Sequence, residues 1–107
     1  MASQPNILFI ILDTQRRDRL GIYGHQVDTS PNLDEFAQNT TIFERGISPA
    51  QWTIPAHASI FTGLYPSTHQ LTQAFQQISG EHPTLAEILQ VADYILSHSA
   101  TTHCWVS

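Results

Sequence analysis

The sequence predicts an α/β fold, a mainly parallel sheet flanked by helices, on three observations. An apolar run, Ile7-Leu-Phe-Ile-Ile-Leu12, is rich in β-formers and unbroken by polar residues. Such a run suits a strand buried on both faces, as in parallel sheets. Helix start signals then appear at Ser30-Pro31, Thr53-Ile-Pro55 and Thr84-Leu-Ala-Glu87. Between the first two lies a second strand-like segment, Thr40-Thr-Ile-Phe-Glu-Arg45. Strands alternating with helices imply a layered sheet.

Each element has a local cause. The first strand ends in Asp13-Thr14, and a carboxylate at the C-terminal end of a central parallel strand lies where open α/β sheets bind ligands. Structural Asp caps also occur there. A connection containing Gly21-Ile-Tyr-Gly24 leads to Ser30-Pro-Asn-Leu-Asp-Glu-Phe-Ala-Gln-Asn39. There Ser30 serves as cap, Pro31 as first helical residue, and Asp34 and Glu35 favour the positive end of the helix. A loop, Ser48-Pro-Ala-Gln-Trp52, precedes Thr53. The capping box at Thr84 and Glu87 predicts a helix through about Ala92, with room for one last strand beyond it.

Composition limits the classes of function. The chain has 107 residues, 41% of them hydrophobic and 12% charged. That length suits one small domain. A net charge of −5 speaks against non-specific nucleic-acid binding. The cluster Arg16, Arg17 and Arg19 beside Asp18 reads as a solvated face. A single cysteine, Cys104, excludes an internal disulfide framework. Met1 to Asn6 carries no basic leader, and the run to Leu12 is too short to span a bilayer. The expectation is a soluble, cytoplasmic chain with no membrane segment.

The most informative stretch is Thr53-Ile-Pro-Ala-His-Ala-Ser-Ile-Phe-Thr-Gly63. Pro55 suits a first helical turn, Thr53 sits at or next to the N-cap, and Gly63 is the stop. A helix N-terminus offers unpaired N–H groups and partial positive charge, a seat for a tetrahedral oxyanion. Thr53 is thus either a cap or a hydroxyl nucleophile. His57, one turn on, is either a helix-surface histidine or an anion-stabilising group.

Four blocks in matching order and spacing carry a family resemblance. They are Pro5-Asn-Ile-Leu-Phe-Ile-Ile-Leu-Asp13, Ser30-Pro-Asn-Leu-Asp34, Thr53-Ile-Pro-Ala-His57 and Thr62-Gly-Leu-Tyr-Pro66. Through them the chain resembles the N-terminal part of sulfatases, within the alkaline phosphatase-like superfamily. The likeness covers about residues 5–94 of the partial domain 1–107, leaving 95–107 as an atypical tail. It implies a fragment of an alkaline phosphatase/sulfatase-like fold.

The resemblance also implies roles. Asp13 matches the family's first metal-binding aspartate, while Thr14 stands where a second aspartate is common. Thr53 matches the nucleophile, which in true sulfatases is a Cys or Ser converted to formylglycine. His57 replaces an arginine that stabilises the nucleophile and the anion. His69 follows the Tyr-Pro element, and the sequence assigns it no role. Threonine is not a substrate for formylglycine formation, so no formylglycine is possible at Thr53. Threonine is, however, the nucleophile in phosphodiesterase, phosphonate-hydrolase and phosphoglycerol-transferase branches of the superfamily.

The implied cofactor is a divalent metal, one of Ca, Mn, Mg or Zn, bound by Asp13 and the Thr53 oxygen. The implied substrate is a sulfate or phosphate/phosphonate ester of a small molecule, lipid or sugar. A protonated His57 could partly replace the arginine, though without its bidentate fork. The tail, Ser97-His-Ser-Ala-Thr-Thr-His-Cys-Trp-Val-Ser107, offers His98 and His103 but no partner carboxylate. The alternative expectation is therefore a truncated, non-catalytic fragment or small interaction subunit, marginally stable and aggregation-prone through exposed strand edges.

Overall fold

A computed structural model describes residues 4–99. His103 and Cys104 lie outside the described residues, as does the end of the atypical tail. The chain divides into two compact units, Met1–Arg45 and Gly46–Ser107.

In the first unit the chain forms two short 3-10 turns, Arg17–Arg19 and Gly21–Tyr23, and helix α1, Pro31–Ala37. Pro31 opens α1 as the sequence predicts. Ser30 holds the N-cap position but makes no capping hydrogen bond. Its hydroxyl instead accepts the Gly21 amide at 2.9 Å and donates to the Asp34 carboxylate at 3.1–3.2 Å. The Ser30 cap expected from sequence is thus a tertiary tether between α1 and the second 3-10 turn. Next to it, the Thr29 hydroxyl donates to the Arg19 carbonyl at 2.6 Å. Tyr23 places its ring 4.5 Å under the Arg17 guanidinium and its hydroxyl 3.3 Å from the Phe43 carbonyl. Arg16 grips Asp18 through two surface contacts of 2.9 and 2.7 Å.

Neither expected strand forms. Among the described residues there is no β-strand, and 7–12 and 40–45 are irregular chain and turn. A strand exists only where its N–H and C=O groups find a ladder partner. Here the Leu12 carbonyl accepts the Gln15 amide at 3.3 Å and closes a turn around Asp13 and Thr14. Apolar side chains meant for a sheet interior consequently lie open: Leu8 is 84% exposed, and Phe43 is 77% exposed. The β-propensity of these segments is a statement about fitting a sheet, not an intrinsic fold of the segment. Residues 94–99, where a last strand had room, are likewise irregular.

The second unit contains α2, Thr53–Thr62, α3, Pro66–His69, and α4, Leu85–Val91, with α2 touching both of the others. Gly63 ends α2 with φ 71°, and its amide bonds the Ser59 carbonyl at 2.8 Å. Only glycine adopts that left-handed conformation without strain. Pro66 opens α3, a short helix absent from the sequence expectation. The capping box of α4 forms as predicted: the Glu87 carboxylate accepts the Thr84 amide at 2.7 Å, and the Thr84 hydroxyl accepts the Glu87 amide at 3.3 Å. The buried interior consists of Pro55, Ala58, Ser59, His69 and Leu71. Small Ser59 on α2 meets the ring of His69 from α3.

Candidate active site

Thr53 is the first residue of α2, half-buried, with Trp52 in extended conformation as the N-cap. Pro55 falls within the first turn, where a missing N–H leaves no intrahelical bond unmade. The positive end of the α2 dipole gives Thr53 a locally positive setting.

His57, also half-buried, turns back along the helix. Its Nδ1 lies 2.8 Å from the Thr53 carbonyl, and its ring stacks on Phe61 with centroids 6.3 Å apart and planes 19° apart. A carbonyl only accepts, so Nδ1 carries a proton and donates. Nε2 is therefore the nitrogen with which His57 can meet a substrate, as acceptor in the neutral ring or donor in the cation. Asp13 is exposed in the turn that Thr14 completes with φ 60°. It belongs to the first unit, whereas Thr53 and His57 belong to the second.

The sequence gives His69 no role, yet the structure buries it. It is 3% exposed, with Nε2 at 3.0 Å from the Ser59 hydroxyl and Nδ1 accepting the Leu71 amide at 3.0 Å. The signal was present in Pro66, which starts a helix just upstream of His69. Further along α2, the Thr62 hydroxyl donates to the Ala58 carbonyl at 2.6 Å and accepts the Leu64 amide at 3.3 Å.

A calcium- or magnesium-like cation takes six or more oxygen ligands. Asp13 and Thr53 offer one carboxylate and one hydroxyl, and they belong to different units. Among the described residues no group of three or more His, Cys, Asp or Glu side chains could hold a metal ion. This donor set does not fit a resident metal. Among the described residues no helix is long and apolar enough to cross a membrane.

Comparison with known proteins shows the family to which the chain belongs. The family model Sulfatase matches residues 5–104. Arylsulfatase A of Bos taurus is 32% identical over 111 residues, covering 98% of this chain and 22% of that protein. Arylsulfatase A of Homo sapiens is 30% identical, covering 99% and 22%. Ulvan-active sulfatase of Formosa agariphila is 29% identical, covering 94% and 20%. The chain belongs to the sulfatase family. It spans about a fifth of the length of these relatives. No solved structure matches it. Membership implies the family's α/β fold, of which the described residues show the helices and connections.

Proposed function

We propose that this chain carries the nucleophile-bearing part of a sulfatase-family ester hydrolase, with Thr53 as the attacking hydroxyl. The observation that carries the proposal is the position of Thr53 at the head of α2, within a family match that spans 5–104. Relatives named as sulfatases support sulfate esters as the substrate class. A threonine nucleophile also fits phosphate or phosphonate esters of a small molecule, lipid or sugar.

In this reading the Thr53 oxygen attacks sulfur or phosphorus, its proton passes to a base, and the bond to the alcohol oxygen breaks. The alcohol leaves with a proton, and water then cleaves the threonyl ester. The positive end of the α2 dipole favours the non-bridging oxygens. Nε2 of His57 supplies a further donor to them when the ring is protonated, its Nδ1–H already bound to the Thr53 carbonyl.

The test is turnover of 4-nitrophenyl sulfate, 4-nitrophenyl phosphate and bis(4-nitrophenyl) phosphate by the wild-type chain and by Thr53→Ala. The proposal expects release of nitrophenol that Thr53→Ala reduces to background. Equal rates in the two proteins, or none from the wild type, would overturn it.

A further inference from the structure

The Ser59–His69 contact resembles a nucleophile and its base, but its polarity runs the other way. Leu71 donates its amide to Nδ1, so Nδ1 carries no proton. The single N–H of the neutral ring is then at Nε2, and it donates to the Ser59 hydroxyl. A ring that already holds a proton at Nε2 takes none from Ser59. Both side chains are also buried, Ser59 at 7% and His69 at 3% exposure. The pair is built to hold, not to react.

What it holds is the helix that carries Thr53. Ser59 lies on α2 six residues after Thr53, about 9 Å along the axis. His69 lies on α3, and Leu71, which fixes the ring's tautomer, is 2% exposed. Buried polar groups of this kind cost free energy when left without a partner, so the contact favours one register of α2 against α3. We infer that His69 is a positioning residue: through its Nε2–H bond to Ser59 it sets the placement of α2 and hence of the Thr53 hydroxyl. The inference rests on the reading of Thr53 as the reacting group.

Two substitutions separate the ring's two functions. His69→Asn keeps an acceptor near the Nδ1 position for the Leu71 amide but cannot reach Ser59. His69→Gln extends an amide donor about as far as Nε2. The experiment is NMR on the 107-residue chain, reading the imidazole nitrogens of His69, the Thr53 methyl and amide exchange along α2 and α4.

The expected wild-type ring has its proton on Nε2 and none on Nδ1. His69→Asn and Ser59→Ala should each move the Thr53 methyl resonance and speed exchange of the α2 amides about tenfold. The α4 amides should stay as they are, and His69→Gln should return the Thr53 methyl toward its wild-type position. A proton on Nδ1 would overturn the inference, as would a Thr53 methyl unmoved in both His69→Asn and Ser59→Ala. Equal loss of α2 and α4 protection in all three variants would also overturn it, as loss of fold. None of these measurements reads turnover, so failure of Thr53 as nucleophile shows separately, as undiminished activity in Thr53→Ala.

Discussion

The Asp34 carboxylate accepts the backbone amide of Ile22 at 2.7 Å, joining the second 3-10 turn to α1 across twelve residues of chain. The same carboxylate receives the Ser30 hydroxyl, which in turn takes the Gly21 amide. Two amides that a short turn leaves unpaired are thereby satisfied from a helix. This network, more than apolar burial, organises the first unit, where Ser30 is only 7% exposed while Phe36 is 70% exposed.

Gly21 has no room for a side chain beside that network. A Cβ there would lie 2.7 Å from the Asp34 Cγ, and Asp34 cannot swing aside without releasing Ile22. Gly21→Ala is expected to destabilise the first unit by about 1–3 kcal/mol. The check is amide exchange at Ile22 and in α1, which should quicken.

Gly63 gives the contrasting case. Nothing stands within 4 Å of a Cβ built there, but its φ is 71°. Gly63→Ala should therefore cost only the left-handed backbone strain, about 1 kcal/mol. Gly63→Asn should cost less, because asparagine tolerates that conformation better. Urea denaturation followed by far-UV circular dichroism distinguishes the two.

The α4 cap carries a pH dependence. The Thr84 amide, and then the Thr84 hydroxyl, hold the Glu87 carboxyl below its ordinary value of 4.5. A depressed folded-state value means the stabilisation is fully present above the ordinary glutamate range. It is lost as pH falls through the lower folded value. Helicity of α4 should fall over that acid window in the wild type. Thr84→Ala should lose about 1 kcal/mol of helix stability at neutral pH and show a flatter acid response.

Open apolar side chains around residues 7–12 make self-association the expected behaviour of the chain, with Leu8 84% and Ile10 68% exposed. Leu8→Lys should lower light scattering at a given concentration while leaving the urea midpoint unchanged. A midpoint shift in Leu8→Lys would show that Leu8 contributes to folding despite its exposure.

Local chemistry made the helices legible. Pro31, Pro55, the Thr84–Glu87 pair and Gly63 act within one turn of chain, so their effects follow from residue type and spacing alone. The same locality placed Thr53 at the head of α2, within one residue of its expected position. His69 was visible as a residue but not as a tether, because its partner Ser59 lies ten positions away on another helix. Ser30 shows the same limit: its type suggested a cap, while Gly21 and Asp34 decided what its hydroxyl does.

By itself the sequence determined the family, the starts of α1, α2 and α4 and the candidate residues Asp13, Thr53 and His57, since these rest on residue identity and short spacing. Tertiary structure decided what each polar group meets. It buried His69 against Ser59 and set the Ser30 hydroxyl between Gly21 and Asp34. It also left 7–12 and 40–45 as irregular chain, because strands are pairings, and no segment becomes one without a neighbour to complete its hydrogen bonds.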